Sequence, residues 1–158
     1  MKTISDEPII SGDLSRISTY EAGILQSKMN RKLQKFCDQV LSEFGITKMQ
    51  WLIIGTVYDH ATTGTRITDL SKILGTNLPY MTTAVNTLVY KNILVRVGNV
   101  QDNRSKIVAV HADFAPKCSL IERTLRNALR QKIYKDIPPE DFKVYMRVMF
   151  VLAGYKFK

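Results

Sequence analysis

Apolar positions along this chain follow two different periods. Over most of its length they recur every three or four residues, which is typical of amphipathic helices. Residues 93–97 and 107–110 differ, because they are short runs rich in β-branched side chains on either side of a polar segment. Such a pair of runs predicts an antiparallel hairpin. The whole pattern predicts four helices, a two-stranded hairpin and two further helices, in that order.

Residues that favour helix ends stand between these segments. Gly45 is expected to end the first helix, and Thr47 with Gln50 forms a capping-box pattern that starts the second. Asn92 is expected to take the left-handed conformation that ends the fourth helix. The residues expected to cap the third, fourth and fifth helices are Thr68, Asn77 and Asp113.

The fourth helix combines a buried stripe with an uncharged polar face. Leu78, Met81, Val85 and Leu88 form the stripe. Threonine and asparagine are poorer helix formers than the lysine and glutamate of an ordinary solvated face, so their presence favours a functional role for this face of the helix. An asparagine amide can bond adenine, and a threonine methyl can contact the thymine methyl. The residues predicted to contact DNA here are Asn77, Pro79, Tyr80, Thr82, Thr83, Asn86 and Thr87.

The polar tip of the hairpin is basic. Arg104 stands where an arginine can enter a minor groove narrowed at A·T tracts, and Asp102 is placed to pair with it. Arg96, Ser105 and Lys106 are predicted to bind phosphate. Taken alone, the fourth helix could be an exposed helix without a function, and the hairpin tip could be an ordinary charged turn. Together, the helix and the basic hairpin predict a winged helix-turn-helix that binds DNA.

The charge of the chain agrees with a polyanionic partner. Lysine and arginine total 23 against 14 acidic residues, a formal net charge of +9. Residues 117–135 alone hold six basic side chains against the single Glu122, so nonspecific contact with DNA or RNA is a second explanation of the excess.

Several classes of protein are disfavoured. No apolar run approaches the roughly 18 residues of a membrane span, and Asp6, Glu7 and Pro8 stand where a signal peptide needs an apolar core, so a cytoplasmic protein without membrane contact is expected. The two cysteines are too few for a disulfide scaffold or a zinc site, and the two histidines would need scattered carboxylates to complete a metal site. No cofactor or catalytic motif is present. We expect no enzymatic activity, no metal and no cofactor.

The spacing of these motifs resembles the MarR family of bacterial transcription regulators. Residues 69–71, the helix end at 74–75, the stripe of the fourth helix and residues 92–96 carry the resemblance. The family's wing motif, Asp-x-Arg-Ser, is matched by residues 102–105. The fold class implied is mainly α, with a small two- or three-stranded β wing. A single domain over residues 1–158 is expected.

The resemblance also implies an assembly and a mode of action. The winged-helix region would cover residues 47–112, and the helices of residues 14–44 and 113–155 would interlock two chains into a homodimer. The surplus of apolar positions in the first and last helices agrees with this. The resemblance further implies a pseudo-palindromic operator on double-stranded DNA, repression, and control by a small aromatic or phenolic effector. Arg16, Tyr20 and Trp51 are the candidate effector residues.

The chain departs from the family pattern at several positions. The family has glycine where Asn92 stands, a second wing arginine where Asn103 stands, and Leu-Thr-x-x-Gly where residues 110–114 stand. The fourth helix also lacks the arginine of many members. Three alternatives stay open: a DNA-binding protein without an effector, a redox-sensing regulator using Cys37, and a winged-helix module that binds protein instead of DNA.

Overall fold

The structure is a computed structural model that describes residues 14–60, 63–98 and 106–155. The order of elements along the chain is that predicted, with one additional strand. The helices are α1 Thr19–Leu41, α2 Lys48–Asp59, α3 Ile67–Ile73, α4 Leu78–Tyr90, α5 Ala115–Lys132 and α6 Pro139–Leu152. The strands are β1 Thr65–Arg66, β2 Leu94–Gly98 and β3 Lys106–Val110. The expected class, mainly α with a small β wing, is confirmed.

The chain divides into two compact units, residues 1–36 and residues 37–158. The first unit contains a short 3-10 turn, Leu14–Arg16, and most of α1. A capping box that the sequence analysis did not identify starts this helix. The backbone N–H and the hydroxyl of Ser18 donate to a carboxylate oxygen of Glu21, and the Glu21 N–H donates back to the Ser18 hydroxyl. These hydrogen bonds hold the pKa of Glu21 below its usual range.

The core of the second unit lies beneath α4. Met81, Val85 and Leu88 of the predicted α4 stripe are fully buried, whereas Leu78 is 45% exposed in the first turn of the helix, so its place in the stripe was wrong. Helix α2 packs against β3, α4 and α5, and α3 packs against α4. The buried side chains contributed by the other elements include Leu41, Ile53, Ile54, Val57, Leu70, Leu94, Val108 and Ile121. The outer face of α4 is therefore held on a packed base.

Two of the predicted caps are confirmed. Thr47 and Gln50 form the capping box of α2. The Asn77 side chain accepts from the Tyr80 N–H at the start of α4. Asn92 has a φ of 54°, as expected for a left-handed residue after this helix.

The caps predicted at Thr68 and Asp113 are wrong. Helix α3 begins earlier, at Ile67, because Arg66 before it is already held extended in β1. Helix α5 begins later, at Ala115, with no side-chain cap. The Asp113 N–H donates to Nδ1 of His111 instead, within a turn that leads into the helix.

The sheet has three antiparallel strands in the order β1-β3-β2. Strand β1, which the sequence analysis did not predict, pairs Thr65 with Val108 and Arg66 with Ile107. Gly64 before it has a φ of +68°, and a Cβ there would lie 1.9 Å from Cγ2 of Ile107. Glycine is therefore required where the chain passes so close to β3.

Helix α6 contributes no buried side chain in this single chain. Its inner side packs through Phe142, whose ring centroid lies 4.9 Å from that of Tyr134 and 6.2 Å from that of Tyr145. Burial raises the pKa of the Tyr134 hydroxyl. Large apolar side chains stay exposed along the rest of the helix: Val144, Met146, Val148, Met149, Phe150, Val151 and Leu152.

Candidate nucleic-acid interface

Helix α4 presents a continuous polar surface to solvent. Pro79, Thr83 and Asn86 recur at spacings of four and three residues and are exposed. The other predicted contact residues border this line; Asn77, Tyr80 and Thr87 are exposed, and Thr82 is half-buried. Residues 77–90 contain no charged side chain, so the surface can bond base edges without a fixed charge on the helix itself.

The threonine hydroxyls on α4 donate to their own helix. Oγ1 of Thr82 lies 2.8 Å from the carbonyl oxygen of Leu78, and Oγ1 of Thr83 lies 3.1 Å from that of Pro79. Oγ1 of Thr87 lies 3.1 Å from the carbonyl oxygen of Thr83. Because these donors are occupied, the threonines offer DNA their methyl groups and hydroxyl lone pairs.

Tyr90 extends the same surface, and the sequence analysis missed it. Its side chain is 89% exposed in the last turn of α4. The spacing of Pro79, Thr83, Asn86 and Tyr90 is four, three and four residues, which places all four on one helix face. That periodicity could have identified Tyr90 from the sequence. Its phenolic hydroxyl can donate to phosphate at the end of the helix.

Arg96 joins the α4 surface to the sheet. It lies on β2, and its Nη2 donates to Oδ1 of Asn86 at 2.5 Å. Asn86 was predicted to contact a base and Arg96 to bind phosphate, but the two side chains are hydrogen-bonded to each other and form one group.

The tip of the predicted wing lies outside the described residues. Asp102, Arg104 and Ser105 belong to it, and their proposed contacts stay predictions. Lys106 begins β3 and pairs with Gly98, the last residue of β2, so the antiparallel hairpin itself is confirmed.

An open groove between α2 and α5 has a volume of about 460 Å³. Its lining is mixed, with apolar side chains beside Asp59 and an ion pair between Glu122 and Arg126. Trp51, one of the three candidate effector residues, lines it. Arg16 and Tyr20 belong to the first unit, and their part in an effector site stays a prediction.

Both thiols lie in environments that disfavour the thiolate. Burial raises the pKa of Cys37, with a smaller opposing contribution from the positive charge of Lys48. Burial also raises the pKa of Cys118. Since a redox sensor needs an accessible thiolate, these environments give the Cys37 interpretation no support.

In the described part of the chain, no helix combines the length and apolar character needed to cross a membrane. Within the same residues, no three or more histidine, cysteine, aspartate or glutamate side chains are grouped to hold a metal ion.

Several solved structures share this fold. A mutant of MarR from E. coli, complexed with operator DNA, superposes with a TM-score of 0.74 at 22% identity, over 82% of this chain and 91% of that chain. The S. aureus MepR–DNA complex gives a TM-score of 0.73 at 20% identity, over 87% and 99%. AbsC, a MarR family transcriptional regulator from Streptomyces coelicolor, gives 0.75 at 15% identity, over 87% and 95%.

No protein-family model matches the chain, and no curated protein matches it significantly. The fold and the α4 surface define a winged helix-turn-helix protein. Within that class, the chain has the fold of the MarR family, which confirms the fold implied by its sequence motifs.

Proposed function

We propose that the protein is a sequence-specific DNA-binding transcription regulator of the MarR type, acting as a repressor. The observation that carries this proposal is the exposed, uncharged polar face of α4 above the buried side chains of Met81, Val85 and Leu88. A base-reading helix needs both, since discrimination requires polar groups held in fixed positions. The presence of DNA in the MarR and MepR structures of the same fold supports it.

In the proposed complex, α4 enters the major groove and the hairpin follows the adjacent backbone. Thr83, Asn86 and their neighbours contact base edges. Arg104 enters the minor groove with Asp102 as its support, and Ser105 and Lys106 bind phosphate. The net charge of +9 supplies the electrostatic part of the affinity.

Base contacts and phosphate contacts predict different effects of mutation. Asn86→Ala should narrow the difference in affinity between operator and random DNA by about 1–3 kcal/mol, with little change in salt dependence. Lys106→Ala should weaken binding to both duplexes alike and reduce the slope of log affinity against log salt concentration by about one unit. The measurement is a salt titration of binding to both duplexes.

An equal loss of affinity for both duplexes in Asn86→Ala would contradict base recognition by α4. Salt-independent binding would favour the protein-interaction alternative.

The active form we propose is a homodimer. Apolar side chains are exposed along α6, and Tyr20, Ile24 and Met29 are exposed on α1. Exposed apolar surface of this kind is typical of an interface with another chain. A two-fold dimer would place two α4 helices on half-sites about one helical turn of DNA apart, which explains the expectation of a pseudo-palindromic operator.

We propose the α2–α5 groove as the effector site. Aromatic carboxylates or phenols match its apolar walls and its polar groups, Arg126 among them. At 100 times its Kd, a compound that binds only the native state should stabilise the protein by about 2.7 kcal/mol, or roughly 5–10 °C in Tm. Thermal melting with a panel of aromatic carboxylates measures this shift.

A matched pair of variants on α5 controls the effector experiment. Ser119→Trp fills the groove and should abolish the shift in Tm. Asn127→Trp adds the same side chain to an exposed position of α5 that does not line the groove, and should retain the shift. If no compound raises Tm while DNA binding is intact, the protein acts without such an effector.

A further inference from the structure

Arg96 and Asn86 form a contact that links the sheet to the centre of the DNA-facing surface. Helix α4 packs against β2, and this packing brings the two residues together from ten positions apart. Nη2 of Arg96 donates to Oδ1 of Asn86, and both side chains keep part of their surface open to solvent. The oxygen of the Asn86 amide is thus partly occupied before DNA arrives.

This occupancy changes what Asn86 offers to a base pair. Two-point recognition of adenine uses both ends of the amide, with the oxygen accepting from N6 and the nitrogen donating to N7. With the guanidinium on one of the two lone pairs of the oxygen, the groups that remain open are the NH2 of Asn86, the other N–H groups of Arg96 and the second lone pair of the oxygen. Donors therefore outnumber acceptors in this pair of side chains. Guanine presents two acceptors, O6 and N7, at the same edge of the major groove.

We infer that Arg96 is a specificity-determining residue, which converts Asn86 from an adenine contact into half of a donor pair that selects guanine. The inference rests on the proposed function, because it assigns the base read by α4. It differs from the expectation that Arg96 binds phosphate. A phosphate contact would contribute affinity blind to sequence, whereas the Arg96–Asn86 pair contributes a preference at one base position.

The test is selection from a library of randomised DNA duplexes by the full-length protein, followed by affinity measurements on the enriched site. The position contacted by Asn86 is the one whose preference disappears in Asn86→Ala. The parent protein should prefer guanine over adenine there by roughly 5- to 150-fold, the range of one two-point base contact. Arg96→Met should remove this preference or shift it to adenine. Arg123→Met, which deletes the same charge from an exposed position on α5, should keep it.

A second variant tests the donor assignment directly. Asn86→Asp keeps an acceptor for Arg96 but replaces the NH2 donor with a carboxylate oxygen, so the preference should move from guanine toward cytosine, whose N4 is a donor. Each variant is judged by its ratio of affinities between duplexes, which cancels a uniform loss of binding.

The outcomes separate this inference from the proposed function. If the parent protein prefers adenine at the Asn86 position, the inference is overturned and the regulator proposal stands. The inference is also overturned, and the regulator proposal stands, if Arg96→Met weakens binding to all duplexes equally and lowers the salt dependence of binding, since that is the behaviour of a phosphate contact. If the parent enriches no sequence at all, both are overturned.

Discussion

Leu88→Ala should lower the free energy of unfolding by about 2–5 kcal/mol. Leu88 is fully buried in the stripe that holds α4 on the core. Removing its branched end leaves a cavity under the last turn of the helix, and the surrounding side chains can relax only in part. Urea denaturation followed by circular dichroism measures the change.

Tyr90→Ala is the matched control, two residues further along the same helix. Its side chain is 89% exposed, so its stability change should stay within about 0.5 kcal/mol. If the two variants lose similar stability, α4 is not anchored by its buried stripe. The polar face of α4 would then not be held rigidly enough to discriminate between bases.

Val148→Asp should prevent assembly of the proposed dimer. Val148 lies among the exposed apolar residues of α6 and is 47% exposed in the single chain. An obligate interface buries at least about 2,000 Å², and a carboxylate placed inside it loses hydration without gaining a partner, at a cost of several kcal/mol. Light scattering at micromolar concentration should show a dimer for the parent protein and a monomer or unfolded chain for the variant.

Thr68→Asp is the control for this prediction. It introduces the same side chain and the same change of charge at an exposed polar position of α3, outside the helices expected to form the dimer. It should leave the dimer intact. A folded monomer of the parent protein, or a Val148→Asp variant that remains dimeric, would contradict the assignment of α6 to the dimer interface.

The sequence by itself determined the elements whose causes are local. The spacing of Met81, Val85 and Leu88 fixes which face of α4 is buried, because a helix repeats every 3.6 residues. The caps at Thr47 and Asn77 depend on side chains only three residues from the N–H groups they accept. Backbone preference alone similarly accounts for Asn92 after α4.

Tertiary structure decided the features that depend on distant partners. Strand β1 has two residues, too short for any periodicity, and exists because β3 pairs with it. That pairing moved the start of α3 away from the cap expected at Thr68. The Arg96–Asn86 contact likewise forms only when β2 packs against α4. Local preferences set which face α4 exposes, whereas packing between elements sets which atoms on that face remain free to bind DNA.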